Sequence, residues 1–138
     1  MLDLYIANKN YSSWSLRPWM LLNMLGIAFT EHLTPFDGHN NFQRFKLFSP
    51  NGKVPCLHDA GLVVWDSLAI IEYLAELHEM VWPQGIAART YARSACSEMH
   101  AGFDSLRGQC PMICSARFQL RSVSVGLDRD LRRLDDLF

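Results

Sequence analysis

The spacing of apolar residues changes once along this chain, near residue 80. Up to that point short apolar or alternating runs, typical of β-strands, are interspersed with stretches at helical spacing. Beyond it, apolar residues recur every three or four positions over 88–110 and again over 116–138, which predicts two long helices separated around Pro111. We therefore expect a mixed α/β unit at 1–80 and, after a linker, an antiparallel helix pair at 87–138.

The predicted elements of the α/β unit follow the order βαβαββα. Strands are expected at 2–6 and 27–33, joined by a helix that starts near Ser15, has Pro18 in its first turn and ends at Gly26. Two strands connected through a helix run parallel where they pair. A short irregular helix and then an antiparallel hairpin follow, so the sheet is expected to be mixed.

The hairpin and the helix start after it carry the most informative polar residues. Val54 precedes Pro55 and is therefore held in an extended geometry, at an edge strand or beside a cis peptide bond. Asp66 and Ser67 stand directly before an apolar run at helical spacing, where either can cap the helix and leave free backbone N–H groups for an anion. The same pattern also fits a hairpin and a capped helix that bind no ligand.

Composition changes this picture little. A chain of 138 residues with a formal net charge of −1 is typical of one ordinary globular unit and argues against sequence-independent binding of nucleic acid. No apolar run reaches the length of a membrane-spanning helix and the start lacks the pattern of a signal peptide, so we expect a cytoplasmic protein. The four cysteines lack the spacing of a zinc site, so we expect reduced thiols and no metal.

Three motifs, in this order, resemble the cytosolic glutathione transferase family. They are Tyr11-Ser-Ser-Trp-Ser-Leu-Arg-Pro-Trp19, Gly52-Lys-Val-Pro-Cys-Leu57 and Asp66-Ser-Leu-Ala-Ile-Ile-Glu-Tyr-Leu74. The first is similar to the Ser-Ser-Cys-x-x-Arg signature of the zeta class, with Trp14 in place of the cysteine. The resemblance implies a thioredoxin-like domain at 1–80 and a partial helical domain at 87–138, because family members carry further helices.

The resemblance also implies how glutathione would be held. Its extended backbone would pair with Val54 beside a cis Pro55, in the manner of an added strand. Asp66 would take the γ-glutamyl ammonium, and Ser67 with the helix N–H groups would hold the γ-glutamyl carboxylate. Lys53 would reach the glycyl carboxylate, although a solvated surface lysine explains this residue equally well.

Ser12 and Ser13 are the candidate catalytic residues, since glutathione must become a thiolate before it attacks. A fall of about 2 units from a thiol pKa near 8.5 requires about 2.7 kcal/mol of differential stabilisation. A helix terminus supplies only about 0.3–2 kcal/mol, so a hydroxyl hydrogen bond is also needed. Alignment of the motif favours Ser12 for this role, with Ser13 as the close alternative.

The second substrate would lie between the two domains. The resemblance implies Trp14, Met99, Phe103 and Met112 as wall residues and Arg107 as an anion contact, although each fits a structural role at least as well. The expected function is transfer of glutathione, as co-substrate, to a small hydrophobic electrophile in detoxification. The alternatives are glutathione-dependent isomerisation or peroxide reduction with the same residues, and a non-enzymatic partner-binding role similar to that of stringent starvation protein A. A homodimer without nucleic-acid or membrane partners is also implied.

Overall fold

A computed structural model describes all 138 residues of the chain. The first 77 residues contain four strands and three helices in the predicted order βαβαββα. These elements are β1 Leu2–Ile6, α1 Ser13–Met24, β2 Phe29–Leu33, α2 Asn41–Lys46, β3 Cys56–Asp59, β4 Leu62–Trp65 and α3 Ser67–Leu77. We call residues 1–77 the sheet unit.

The four strands form one mixed sheet in the order β2-β1-β3-β4. Strand β1 runs parallel to β2, pairing Leu4 with Glu31, and antiparallel to β3, pairing Leu4 with Leu57. Strands β3 and β4 form the predicted hairpin, whose two-residue turn has φ values of 47° at Ala60 and 89° at Gly61. The predicted thioredoxin-like architecture, an α/β fold with a mixed sheet, is therefore confirmed.

The core of the sheet unit lies between one face of the sheet and helices α1 and α3. Alternate residues of β1 are buried because successive side chains of a strand point to opposite faces. Leu22 of α1 and two residues of α3 cover them from above. The buried core consists of Leu2, Leu4, Ile6, Leu22, Leu57, Ile70 and Leu74. Full burial of such a side chain stabilises the fold by about 1.5–3 kcal/mol.

Helix α1 differs from its prediction at one end and agrees with it at the other. It begins at Ser13, two residues early, because the Ser12 side chain accepts a hydrogen bond from the Ser15 N–H and caps the helix. Pro18 consequently lies inside the helix and not in its first turn, where its missing N–H removes one helical hydrogen bond. Gly26 ends the helix as predicted, with a φ of 65° that favours glycine.

The second half of the chain forms three helices: α4 Ile86–Ala101, α5 Asp104–Gln109 and α6 Val125–Leu137. The prediction of two long helices within 87–138 is therefore wrong. The helix predicted from the apolar spacing over 88–110 is interrupted at Gly102, which is extended, and at Phe103, whose φ is 64°. We call this apolar spacing the apolar stripe of 88–110.

Two features explain why the stripe did not continue as one helix. Glycine has a low helix propensity, so Gly102 is a weak point in the stripe. The Arg107 side chain also donates a hydrogen bond of 3.0 Å to the Gly102 C=O, which satisfies a carbonyl at the end of α4. Residues 110–124 contain no helix, and α5 and α6 pack on each other. None of the helices in the chain combines the length and apolar character needed to cross a membrane.

Candidate functional site

Four segments of the chain meet around a cavity of about 230 Å³, which we call the Asp66 cavity. It lies where the start of α1, the loop before β3, the start of α3 and the end of α4 come together. Its lining residues are Trp14, Asn51, Lys53, Val54, Pro55, Asp66, Ser67 and His100. All five residues predicted to contact glutathione line this one cavity, and their role in binding stays a prediction.

The loop before β3 presents unpaired backbone groups to the cavity. The Val54–Pro55 peptide bond is cis, as the resemblance implied. Val54 lies outside the strands, and neither its N–H nor its C=O is hydrogen-bonded to another protein group. These two groups are therefore free to pair with an extended ligand backbone.

A glycine and an asparagine fix the shape of this loop. Gly52 has a φ of 64°, and a Cβ at this position would lie 2.5 Å from the Phe42 ring, so no larger residue fits without displacement. Asn51 accepts hydrogen bonds through Oδ1 from the Lys53 N–H at 3.0 Å and the Ser49 hydroxyl at 2.8 Å. Sequence reasoning missed Asn51, whose turn-forming side chain was its only signal.

The start of α3 contributes a strained residue and an unpaired hydroxyl. Asp66 has a φ of 79°, a conformation that costs a non-glycine residue about 1–3 kcal/mol. Its Oδ1 accepts the Leu68 N–H at 2.8 Å and caps the helix. Ser67 is 1% exposed, and its hydroxyl has no hydrogen-bond partner in the protein. A polar ligand group in the cavity would satisfy that hydroxyl.

His100 is the second residue of this cavity that sequence reasoning missed. Its Nε2 lies 3.4 Å from Asp66 Oδ2, and its ring stands edge-on to Trp14 with 5.1 Å between the ring centres. Its Nδ1 is buried without a partner. The residue follows Met99 directly and so lies off the apolar positions at helical spacing that predicted this helix.

A second cavity of about 440 Å³ adjoins the first across Trp14 and is here named the Arg17 cavity. Both predicted catalytic serines and three of the predicted wall residues line it, together with Arg107. Phe103 does not, because the chain turns there between α4 and α5 and buries its side chain elsewhere. The lining residues are Tyr11, Ser12, Ser13, Trp14, Arg17, Phe36, Met99, Leu106, Arg107, Cys110, Pro111 and Met112.

The two serines differ in their hydrogen bonding. Ser12 is 5% exposed, and its hydroxyl donates to Ser15 Oγ at 2.8 Å. Ser15 Oγ also accepts the Ala7 N–H at 3.2 Å, which ties the start of α1 to the end of β1. Ser13 is half-buried, and its hydroxyl makes no hydrogen bond within the protein. The structure therefore leaves the Ser13 hydroxyl free and engages that of Ser12.

Two arginines flank Trp14 in the Arg17 cavity. The guanidinium carbons of Arg17 and Arg107 lie 4.2 Å and 4.8 Å from the ring centre, distances typical of cation–π contacts. Burial lowers the pKa of Arg17, and the nearby positive charge of Arg107 lowers it further. The cavity is thus electropositive.

One wall of the Arg17 cavity is held by the sheet unit through Asn10. The backbone C=O of Asn10 accepts the Cys114 N–H at 3.1 Å, and its Oδ1 accepts the Ser115 N–H at 2.8 Å. Its Nδ2 donates to Ser115 Oγ at 3.0 Å. These bonds fix the loop that carries Pro111 and Met112.

Comparison with known proteins agrees with this fold. The sequence profile described as "Glutathione S-transferase, N-terminal domain" matches residues 11–77. Glutathione S-transferase TCHQD from Arabidopsis thaliana is 31% identical over 90 residues, which cover 64% of this chain and 33% of that protein. The chain thus spans about a third of the length of this curated relative.

Solved structures share the fold over most of the chain. Glutathione S-transferase unclassified 2 from Bombyx mori superposes with a TM-score of 0.73 at 22% identity, covering 98% of this chain and 65% of that one. A glutathione transferase homolog from Burkholderia, solved with bound glutathione, superposes with a TM-score of 0.65 at 21% identity, covering 78% of this chain and 60% of that one. Likeness at such identities supports the fold alone.

The sheet topology, the cis-proline loop and the appended helices define a thioredoxin-like domain followed by helices. Residues 11–77 match the N-terminal domain of the glutathione S-transferase family.

Proposed function

We propose that this chain binds glutathione in the Asp66 cavity and transfers it to a small hydrophobic electrophile in the Arg17 cavity. The observation that carries the proposal is the convergence of Lys53, Val54, Pro55, Asp66 and Ser67 on one cavity, with the buried Ser67 hydroxyl lacking a protein partner. The bound glutathione of the Burkholderia homolog supports it.

The groups around the Asp66 cavity match the charges of glutathione. Asp66 Oδ2 accepts from the γ-glutamyl ammonium, while the Ser67 hydroxyl and the Ser67 backbone N–H donate to the γ-glutamyl carboxylate. The unpaired N–H and C=O of Val54 pair with the cysteinyl backbone. Lys53, which is exposed and forms no salt bridge, holds the glycyl carboxylate.

The thiol is directed past Trp14 toward the two serines. In this proposal the free Ser13 hydroxyl donates to the thiolate, and Ser12 supports the helix start whose N–H groups also favour the anion. The thiol releases its proton to solvent and the thiolate attacks the electrophilic carbon: a C–S bond forms and the leaving group departs with the electrons of the bond that breaks. The hydrogen bonding thus favours Ser13 over Ser12, the reverse of the preference from motif alignment.

Calorimetric titration of reduced glutathione into the folded chain tests the binding site. Asp66→Ala removes a charge-assisted contact of about 1.5–3 kcal/mol, so affinity should fall roughly 10- to 100-fold. Asp135→Ala, an exposed aspartate on α6, is the matched control and should bind like the wild type. A folded wild type that takes up no glutathione would overturn the proposal and favour the partner-binding alternative.

The roles of the serines are separated by titrating the ultraviolet absorbance of the bound thiolate against pH. Ser13→Ala should raise the pKa of the bound thiol. Ser12→Ala should mainly cost about 1 kcal/mol of stability through loss of the helix cap. If instead Ser12→Ala raises the thiol pKa and Ser13→Ala does not, the assignment is reversed.

The proposal includes a cytoplasmic homodimer that acts in detoxification, as the family resemblance implies. The outer faces of α3 and α4 would form the dimer contact. Leu77 and Tyr91 support this, because both are large, apolar or aromatic and more than half exposed, at 52% and 56%. Sedimentation equilibrium measures the assembly, and a monomer at micromolar concentration would contradict this part of the proposal.

A further inference from the structure

We infer that the electrophile taken by the Arg17 cavity is a hydrophobic anion, whose negative group lies against Arg17 and Arg107 while its apolar part fills the rest of the cavity. This inference rests on the proposed transfer reaction and deepens it, because it names the class of the second substrate.

The charges lining the cavity are all of one sign. Its twelve lining residues include two arginines and no aspartate, glutamate or histidine. Neither arginine forms a salt bridge with any residue of the chain. The rest of the lining is mostly apolar or aromatic, so a wholly polar anion would leave that surface unfilled.

Arg17 is the arginine with unused donors. Its guanidinium forms no hydrogen bond within the protein, although it carries five N–H donors. Burial and the positive charge of Arg107 both lower the pKa of Arg17. The negative charge of Asp66 raises this pKa, but by less than either of them lowers it. A ligand anion would supply the missing partner, and the geometry of a guanidinium suits a carboxylate.

Arg107 is held in place without losing its charge. Its side chain donates to the backbone C=O groups of Met99 and Gly102 at the end of α4, and neither acceptor is an anion. The two guanidinium carbons lie 4.2 Å and 4.8 Å from the Trp14 ring centre and both side chains line the cavity, so an anionic group bound there is attracted by both charges. Such an anion also relieves the repulsion between the two arginines.

Glutathione itself carries carboxylates, so the test must distinguish the two sources of an anion. The probes are naphthylacetate and its methyl ester, which share an apolar body, differ in charge and contain no group that glutathione attacks. Each is titrated calorimetrically into the full chain, first alone and then with saturating S-methylglutathione. Because no reaction takes place, the measurement does not depend on transferase activity.

The acid should bind about ten-fold more tightly than the ester, which corresponds to one charge-assisted contact. Arg17→Gln should remove most of this preference and Arg17→Lys should retain part of it. Arg121→Gln removes the same charge from the exposed loop outside the cavity and should leave the preference unchanged.

Three results would overturn the inference: equal affinity of wild type for acid and ester, a preference that survives in Arg17→Gln, or a preference that S-methylglutathione abolishes. The last would assign the arginines to glutathione. If glutathione fails to bind but the preference for the acid holds, the proposed transfer falls and the anion-selective cavity stands.

Discussion

The sheet unit and the helices after residue 85 are held together in different ways. All but four of the 21 buried residues lie in the sheet unit, the exceptions being Phe103, Leu127, Asp130 and Leu137. Strand β1 buries three of its five residues, whereas α4, with 16 residues, buries none. The sheet unit therefore has a core of its own, and the later helices mainly supply surfaces to the two cavities.

The largest expected effect comes from making the same substitution, leucine to alanine, once in each of the two regions. Leu4 in β1 and Leu127 in α6 are both fully buried. Leu4→Ala should cost about 2–5 kcal/mol of unfolding free energy, because the packed sheet cannot close around the cavity it leaves.

Leu127→Ala is the matched variant and should cost less, since the helices around it are thinly packed. Urea unfolding followed by circular dichroism measures both free energies. Equal costs would mean that the helices share the core of the sheet unit, and the comparison would fail.

The next effect concerns how α5 and α6 are joined. Asp130 is 7% exposed, and its Oδ2 accepts the N–H groups of Ser105 and Leu106 at 3.0 Å and 3.1 Å. Asp130→Ala leaves two amides without their acceptor and should cost about 1–3 kcal/mol.

Amide hydrogen exchange reports where that cost falls. Exchange should accelerate in α5 and α6 and stay unchanged in β1. Asp135→Ala, which removes an exposed carboxylate from the same helix, is the control. Acceleration throughout the sheet unit would contradict the separation of the two regions.

A smaller effect, on glutathione affinity, tests the contact between α4 and the sheet unit at the Asp66 cavity. His100→Ala removes the imidazole that faces Asp66, so glutathione affinity should fall about three- to ten-fold, or about 0.7–1.4 kcal/mol. Stability should change little, since α4 is not part of the core.

Calorimetry measures the His100→Ala affinity, and His39→Ala, at an exposed position of the sheet unit, is the control. Unchanged affinity in His100→Ala would mean that the sheet unit binds glutathione without help from α4.

The smallest effect is electrostatic and lies within the sheet unit. Burial raises the pKa of Glu31, but hydrogen bonds from Lys9 at 2.7 Å and Trp19 at 2.6 Å, with the charge of Lys9, lower it further than burial raises it. A carboxyl whose folded pKa is depressed stabilises the fold above its unfolded pKa of about 4.3, and this contribution is lost as pH falls through the folded pKa.

Glu31→Gln should therefore cost up to about 1 kcal/mol at neutral pH and progressively less under acid conditions. Urea midpoints over a pH series measure the difference. Glu79→Gln, at an exposed position without a side-chain partner, should show no such pH dependence. A constant cost of Glu31→Gln at every pH would indicate lost packing and not lost charge.

The sequence predicts the sheet unit well because its signals are local. Gly26, the Val54–Pro55 dipeptide and the Asp66–Ser67 helix start each constrain the backbone within a few residues, and each lies where it was expected. Five of the eight residues that line the Asp66 cavity belong to those segments or adjoin them: Lys53, Val54, Pro55, Asp66 and Ser67.

The rest depends on contacts between distant segments, which periodicity does not report. The apolar stripe continued through Gly102, but the helix ended there because Arg107 reaches back to its carbonyl. Asn51 lines the Asp66 cavity because of the shape of the loop before β3. His100 lines it because the end of α4 lies near the starts of α1 and α3. We propose Ser13 and not Ser12 as the donor to the thiolate for a similar reason, since the Ser12 hydroxyl is already bonded to Ser15.

Asn10 fixes the path of the loop after α5. It does so through hydrogen bonds to the backbone N–H groups of Cys114 and Ser115 and to the Ser115 hydroxyl. Such bonds place few demands on the side chains of the neighbouring positions, so Pro111 and Met112 can be replaced while the loop keeps its path. In the proposed function the thiol side of the cavity is fixed by the chemistry of glutathione, and the opposite side is open to variation. In the proposed function, one reaction geometry can in this way be offered to new second substrates by changing two residues of a loop.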